Sequence, residues 1–458
     1  MSKSAPTPEL GPCPPRFTEI KHDIAESYPN FQERVTQAWN EILQELKSAV
    51  ADFARQGSEA VPQVEFSDLP NLSQEQIEAV KRRGCVVIRN VVDDAEAQSW
   101  RNDLKEYVTV NSDIYGFPEG DKQFFHAYWT RSQVRARAHP NVLAVSTWLN
   151  NMYHLKSGAK LEDVDLSTPL SYADRFRIRN PGGQWNAHPP HVDGGAIERW
   201  EDKTFRTCFA DILNGDWRKH DPYDLEGRIN ARSSMYGREN QSSIFRTYQG
   251  WLALSETAPH EGTLKVFPDV LLSNAYTILR PFFRPKLESE KEEELDSSNW
   301  EYDISSPDFP GIYSIGRGFA GPRPNTKTHP HLKLDEAVVS IPKVYPGDMV
   351  FWHCDLIHAV EPEHVGKNDS SVMYIPAVPY TPQNAAYIAR QKESFLQGVP
   401  PPDFPVYKSE TGFVGIGKPE DIENPIAKKA MGFQIEACVV HIAVLKWYLQ
   451  SSNFSNTK

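Results

Sequence analysis

The sequence is poor in cysteine, and no two cysteines lie at short spacing. The five cysteines are scattered and odd in number: Cys13, Cys85, Cys208, Cys354 and Cys438. Disulfide frameworks and thiolate zinc sites need paired or clustered cysteines, so both are disfavoured. We therefore expect a reducing, cytoplasmic environment.

Long apolar runs and an excess of basic residues are also missing. No apolar stretch opens the N-terminus, and the most apolar late segment, residues 437–445, is too short to span a bilayer. The 61 acidic and 49 basic residues give a net charge of -12, the wrong sign for a nucleic-acid surface. Neither a membrane nor a nucleic acid is expected as a partner, and the composition leaves the oligomeric state open.

Apolar residues are nevertheless numerous enough for a large core, because 39% of the 458 residues are hydrophobic. Residues 1–22 are predicted to form a flexible tail, and residues 23–165 a helical region that braces the core. Residues 166–380 are predicted to form the catalytic core, and residues 381–458 to form helices that pack on it.

Apolar periodicity predicts the main elements. A helix is expected over Phe31–Val50, and Ser73-Gln-Glu-Gln76 is a capping-box pattern ahead of a buried strand over Cys85–Val92. Short runs typical of strands follow from about residue 170: Arg175–Arg179, Thr247–Leu254, Gly262–Phe267, Ala337–Ile341, Asp348–His353 and Ser371–Val378. This succession of short strands predicts a mainly β core with flanking helices (α+β), of the cupin-like jelly-roll or double-stranded β-helix type. Two closing helices are predicted, Pro382–Leu396 and Pro425–Leu449.

Three residues far apart in the chain form a candidate metal site. Alternate side chains of a strand share a face, so His191 and Asp193 can bind one ion. A third ligand, His358, follows a Pro-Gly-Asp turn and an apolar strand. Two imidazoles and one carboxylate leave three coordination positions open, which suits iron(II), a bidentate 2-oxo acid and dioxygen.

From Arg83 to Val378 the chain resembles the phytanoyl-CoA-hydroxylase-like branch of the iron(II)/2-oxoglutarate-dependent oxygenases, in particular a poorly characterised microbial and fungal subgroup. The residues that carry the resemblance are His191-Val-Asp193, Trp251-Leu-Ala-Leu with Glu261-Gly-Thr-Leu-Lys-Val-Phe-Pro268, and Gly347-Asp348 running to His358. The resemblance implies a double-stranded β-helix, with His358 as the distal ligand.

Other histidines compete for the ligand role. His188 lies three residues before His191, but Asp193 accompanies His191, and the following glycines let the chain turn away. His353-Cys-Asp355 is a second HxD pattern. His353 falls inside an apolar strand, so a hydrogen-bonded core role is expected for it. Three more histidines are expected at the surface: His329, His331 and His364.

Binding 2-oxoglutarate normally requires a buried cation for its distal carboxylate. Many members of the resembled family carry an arginine about one strand after the distal histidine, whereas this chain has none before Arg390. Arg175, Arg177 and Arg179 alternate along one predicted strand and could replace it, although a salt-bridged surface strand is an alternative. The expected co-substrate contacts are Arg177, Arg179, Trp251, Lys367 and Ser371, with Arg246 and Lys265 as further candidates.

These features predict a non-heme iron(II)/2-oxoglutarate dioxygenase of secondary metabolism that releases succinate and CO2. The expected substrate is a small polar metabolite with a carboxylate, whose unactivated C–H bond is hydroxylated, desaturated or closed into a ring. Because the resembled subgroup includes fungal enzymes that convert valine to an aziridine, an amino acid is the specific expectation. A cupin-like metal-binding or structural jelly roll without turnover is the alternative, since the expected arginine is missing. A zinc hydrolase would lack an obvious general base.

Overall fold

The computed structural model describes residues 11–159, 161, 163–286, 295–316 and 318–434. Within these residues the protein is a mixed α/β structure. The helices are α1 Phe17–Ser27, α2 Phe31–Gln56, α3 Gln74–Arg83, α4 Asp94–Val110, α5 Arg131–Ala138, α6 Pro140–Asn150, α7 Glu198–Glu201, α8 Lys203–Thr207, α9 Ala210–Leu213, α10 Val270–Leu279, α11 Leu334–Ala337, α12 Pro382–Gln397 and α13 Pro425–Ala430. None of them combines the length and apolar character that crossing a bilayer requires.

The strands are short and most pair antiparallel. They are β1 Gln63–Glu65, β2 Cys85–Arg89, β3 Gly116–Phe117, β4 Phe124–Phe125, β5 Asp165–Leu170, β6 Phe176–Arg179, β7 Tyr248–Ala253, β8 Leu264–Val266, β9 Phe283–Pro285, β10 Trp300–Tyr302, β11 Tyr313–Ile315, β12 Gly318–Ala320, β13 Val339–Ser340, β14 Met349–His353, β15 His358–Val360, β16 Ser370–Tyr374 and β17 Val378–Tyr380. An eight-stranded sheet has the order β1-β2-β14-β7-β16-β6-β4-β3, and a three-stranded sheet the order β13-β8-β15.

The two faces of the eight-stranded sheet contribute to two different cores. Trp251 and Trp352 point to one face, where they share an apolar cluster with Val266 of the three-stranded sheet. Leu252 and Phe351, each one residue along, belong to a second cluster with residues of α4 and α6. This alternation follows from the two-residue repeat of a strand. It leaves the first face, between the two sheets, available for a site.

A tight turn sets the start of β14. Gly347 has φ +86°, and a Cβ atom there would lie 2.0 Å from the carbonyl oxygen of Val92. The next residue, Asp348, accepts hydrogen bonds from the backbone N–H groups of Asn90 and Tyr345 and pairs with Arg89. The Gly-Asp pair of the sequence therefore has a structural role here, which fixes the strand that leads to His358.

Several predicted elements are present with shifted ends. Helix α2 continues to Gln56, and the capping box of Ser73 and Gln76 is formed as expected. The strand predicted over 371–378 is divided into β16 and β17, because Pro376 has no N–H to continue the ladder. The strand predicted over 337–341 is reduced to two residues, since Leu334–Ala337 is helical. The helix predicted over 425–449 ends at Ala430 in the structure, and residues 435–449 lie outside the described residues.

The predicted regional division differs from the structure in two places. Helix α1 begins at Phe17, inside the segment expected to be a tail, because Phe17 and Ile24 are buried in the first core. The region expected to be a helical brace contains the predicted buried strand, β2, and also supplies β1, β3 and β4, so that it forms both edges of the eight-stranded sheet. Residues 1–10 of the predicted tail lie outside the described residues.

Candidate metal centre

His191 and His358 face each other across an antiparallel backbone bridge. The N–H of His191 donates to the carbonyl oxygen of His358 at 2.9 Å, and the N–H of His358 donates back to that of His191 at 3.0 Å. Directly opposed residues project their side chains to the same side. The two imidazole ring centroids consequently lie 4.2 Å apart.

The backbone also sets the tautomer of both rings. Nδ1 of His191 lies 2.6 Å from the carbonyl oxygen of Pro189, and Nδ1 of His358 lies 2.9 Å from that of Leu356. A carbonyl oxygen only accepts, so each Nδ1 must carry a proton, and in the neutral form of each ring Nε2 is the nitrogen with the free lone pair. Burial, together with the nearby His358 ring, lowers the pKa of His191 to about 4, which keeps its ring neutral at pH 7.

Asp193 completes the group. Its Oδ1 lies 3.9 Å from Nε2 of His191, and its Oδ2 lies 3.6 Å from Nε2 of His358. One potential ligand atom from each of the three residues lies within 4.8 Å of the other two. Burial raises the pKa of Asp193, but the two histidines outweigh it and hold this pKa well below its usual value. An anionic carboxylate beside the Nε2 atoms of two imidazoles fits a divalent metal ion with nitrogen and oxygen preference.

Neighbouring residues hold the backbone around Asp193 in place. Gly195 has φ +106°, and a Cβ there would lie 2.8 Å from the ring of Phe205. Nη2 of Arg199 donates to the carbonyl oxygen of Asp193 at 2.8 Å, and Nη1 of Arg199 donates to Oδ1 of Asp355 at 2.6 Å. The turn after the HxD motif is therefore held by a buried ion pair.

Gln249 of β7 orients the carboxylate itself. Only one orientation of its amide satisfies both neighbours: the nitrogen donates to Oδ2 of Asp193 at 2.8 Å, and the oxygen accepts from Nε1 of Trp352 at 3.1 Å. Sequence reasoning missed Gln249. Its position two residues before Trp251, on the same strand face, is the signal that could have identified it.

The three residues open into a cavity of about 240 Å³ between the two sheets. Asp193 lies deep in the protein, yet 42% of its side-chain surface is accessible, because it faces this cavity. Trp251 and His188 also line the cavity. Nδ1 of His188 accepts from Nε1 of Trp185 at 2.8 Å, so its own proton is on Nε2.

The three alternating arginines of β6 have different surroundings. Arg177 lines the cavity; its Nη2 donates to the carbonyl oxygen of Gly262 at 3.1 Å, and its buried Nε has no partner among the described residues. Arg175 lines the cavity but is paired with Asp174 at 2.9 Å. Arg179 does not line it, because its guanidinium donates to four backbone carbonyl oxygens: those of Gly183, Gly262, Glu361 and Pro362.

Two further expected co-substrate contacts lie away from the cavity. Lys367 is exposed, and the hydroxyl of Ser371 donates to Oδ2 of Asp369 at 2.5 Å. Neither residue lines the cavity. Of the five expected contacts, Arg177 and Trp251 are in the cavity wall. Three cavity arginines come from loops: Arg246, which was a weaker candidate, and Arg238 and Arg323, which no sequence pattern marked.

The second HxD motif has other partners. Nε2 of His353 lies 3.1 Å from the carbonyl oxygen of Pro222, and its Nδ1 accepts from the N–H of Asp355 at 3.1 Å. Asp355 pairs with Arg199 and Arg228, both at 2.6 Å. Although His353, Cys354 and Asp355 lie within ligand distance of one another, their polar atoms are already engaged.

The surface positions expected for three other histidines are wrong. His329, His331 and His364 are all buried. His331 is inserted among aromatic rings, and its Nδ1 lies 2.9 Å from the hydroxyl of Tyr276. Both ring nitrogens of His331 have partners, whereas the buried Nε2 atoms of His329 and His364 have none among the described residues. Contacts with distant segments bury these loops, which the local sequence does not reveal.

Comparisons with known proteins agree over nearly the whole chain. The Candida albicans protein of GlcNAc Inducible Gene 2 is 32% identical, with a TM-score of 0.82 and 97% of both chains covered. A Salmonella typhimurium LT2 protein named as a candidate oxidoreductase is 28% identical, with a TM-score of 0.75 over 93% of this chain and all of its own. The Escherichia coli K12 protein YbiU is 31% identical over 435 residues, which is 91% of this chain and 96% of YbiU. The model of the Gig2-like family matches residues 11–433, and the chain therefore belongs to the Gig2-like family.

Proposed function

We propose that the protein is an iron(II)- and 2-oxoglutarate-dependent oxygenase with a double-stranded β-helix core. The observation that carries the proposal is the group formed by His191, Asp193 and His358, with each Nδ1 directed to a backbone carbonyl and both Nε2 atoms facing one carboxylate. Such a set occupies one side of an octahedral ion and leaves the other side for ligands. The antiparallel bridge between the two histidines, at the edge of a three-stranded sheet facing a larger one, supports the same fold.

The remaining ligands would enter from the cavity. Bound iron(II), 2-oxoglutarate and dioxygen together supply the oxidation of an unactivated C–H bond, with succinate and CO2 as co-products. Arg177 is the proposed partner of the distal 2-oxoglutarate carboxylate, because it is buried, lines the cavity and has a free Nε. Trp251 and Trp352 form part of the wall and limit the access of water.

The chain's own residues keep the site ready for the metal. The carbonyl oxygens of Pro189 and Leu356 hold the Nδ1 protons, and Gln249 holds the carboxylate of Asp193. Partners of this kind raise the basicity of the ligands and fix their orientation. The oxidoreductase name of the Salmonella typhimurium relative agrees with this reaction class.

The direct test is the conversion of 2-oxoglutarate to succinate by anaerobically purified protein, started with air and measured with and without iron(II). We expect iron-dependent succinate formation that is lost in His191→Ala and Asp193→Ala and retained in His22→Ala, a control at an exposed histidine. The assay is repeated with a panel of small acids as possible substrates. Iron binding without succinate formation for any of them would instead favour a metal-binding jelly roll without turnover. Zinc as the metal of the purified protein would favour hydrolysis.

A further inference from the structure

Within the described residues, three arginines on the cavity wall have no carboxylate at hydrogen-bond or ion-pair distance. Arg238, Arg246 and Arg323 all line the cavity. No side-chain hydrogen bond or ion pair joins any of them to another residue of the described ranges, and the buried Nε of Arg238 has no partner. Arg246 has one contact of another kind, with its guanidinium carbon 5.8 Å from the ring centroid of Tyr172.

Several other arginines of the protein already have carboxylate partners. Arg199 and Arg228 share Asp355, and Arg175 is paired with Asp174. Arg238, Arg246 and Arg323 are each half-buried, and three positive charges on one cavity wall attract an anion from solution.

The three arginines lie near the metal centre. Arg238 and Arg246 lie within electrostatic range of Asp193, and Arg323 lies within range of Arg238 and His191. Arg177, by contrast, acts on His188 and Arg179. The cavity therefore has a separate cationic wall beside the one assigned to the co-substrate.

A charge balance shows what this wall can accept. The carboxylates that line the cavity are Asp174 and Asp193, and Asp174 is already paired with Arg175. Iron(II), Asp193, Arg177 and the 2-oxoglutarate dianion together are neutral. The three wall arginines then remain without a free carboxylate among the described residues that line the cavity, since Glu198 and Asp403, which interact electrostatically with Arg238 and Arg246, lie outside the lining.

We propose that the substrate is an anion that presents at least two negative charges to Arg238, Arg246 and Arg323, as a phosphate monoester or a dicarboxylate does. This inference rests on the proposed oxygenase function. The planar guanidinium fork matches both groups through paired hydrogen bonds. A zwitterionic amino acid such as valine fits poorly, because neither lining carboxylate is free to receive its ammonium group.

Calorimetric titration tests the proposal on protein loaded with manganese(II), which replaces iron without turnover, and saturated with 2-oxoglutarate. The probes are sn-glycerol 3-phosphate for the phosphate source, malate for the dicarboxylate source, glycerol as the uncharged reference and L-valine as the zwitterion. We expect one of the two anions to bind at least about tenfold more tightly than glycerol and valine, and its affinity to fall as salt is raised.

Arginine variants test whether the anion binds to Arg238, Arg246 and Arg323. Arg238→Gln/Arg323→Gln should weaken anion binding by about tenfold or more, and Arg323→Gln alone by a smaller factor. The matched control is Arg55→Gln/Arg284→Gln, which changes two arginines whose side chains are 73% and 60% exposed. Melting temperatures identify variants that fail to fold, in which case the single Arg323→Gln variant decides.

The proposal is overturned if valine or glycerol binds as tightly as the anions, if neither anion binds, or if the double variant keeps its anion affinity within about twofold. The titration of 2-oxoglutarate itself separates this outcome from failure of the proposed function. Protein that does not bind metal and 2-oxoglutarate contradicts the oxygenase, while anion titration of the metal-free protein still reports on the three arginines.

Discussion

Replacing Gln249 with methionine removes the hydrogen bond that orients the carboxylate of Asp193, a proposed metal ligand. Gln249 is buried, and its amide nitrogen lies 2.8 Å from Oδ2 of Asp193. Methionine has a similar volume, so the change should leave little cavity while removing both the donor and the acceptor.

The expected effect on metal binding follows from the charge of the acceptor. A hydrogen bond to a charged group contributes about 1.5–3 kcal/mol, and outer partners of metal ligands typically change affinity by about 10–100-fold. We therefore expect Gln249→Met to weaken iron(II) binding by about tenfold or more. The indole N–H of Trp352 also loses its acceptor, which should lower the free energy of unfolding by about 1–3 kcal/mol.

A second buried glutamine separates the two effects. Gln391 is outside the cavity lining, donates to the carbonyl oxygen of Ser171 at 2.7 Å and accepts from the N–H of Ala173 at 2.8 Å. Gln391→Met should therefore lose comparable stability but keep its iron affinity. Anaerobic iron(II) titration and urea unfolding of both variants measure the two quantities. If Gln249→Met bound iron as tightly as the unchanged protein, the assigned role of the amide would be wrong.

Three more perturbations have outcomes set by the same contacts. Asp355→Asn should lower the free energy of unfolding in urea by about 3–5 kcal/mol, because it leaves two buried arginines short of a counter-charge. Arg177→Gln should raise the Kd of 2-oxoglutarate about tenfold or more by calorimetry, whereas Arg179→Gln should mainly lower the melting temperature, since Arg179 binds backbone carbonyls. Burial lowers the pKa of His353 from 6.5 to about 3, so the unfolded chain takes up a proton that the folded protein does not. Stability should fall as pH drops from about 6.5 to 4, by about 1.4 kcal/mol per unit for this group, and His353→Gln should reduce that slope in urea unfolding.

The three candidate metal ligands could be identified in the sequence because their signal is local. The two-residue spacing of His191 and Asp193 fixes a shared direction, and the Pro-Gly-Asp turn before β14 marks the approach to His358. What the sequence does not contain is the pairing of His191 with His358, which depends on strands more than 160 residues apart. The edges of the eight-stranded sheet were missed for a related reason. Strands β3 and β4 have two residues each, too few to show an alternating pattern.

For the arginines in and just before β6, the sequence pattern predicts the direction of the side chains but not their individual roles. Alternation rightly predicts that Arg175, Arg177 and Arg179 share a face, but neighbours from elsewhere in the chain decide what each one does. Asp174 neutralises Arg175, and Gly262, whose Cβ would lie 2.8 Å from Nη1 of Arg179, leaves room for that guanidinium among backbone carbonyls. Arg177 is left with a free Nε at the cavity. Which of the three arginines can face a ligand is therefore decided by which of them already have partners within the protein. Pairing between distant segments of the chain is a property of the fold.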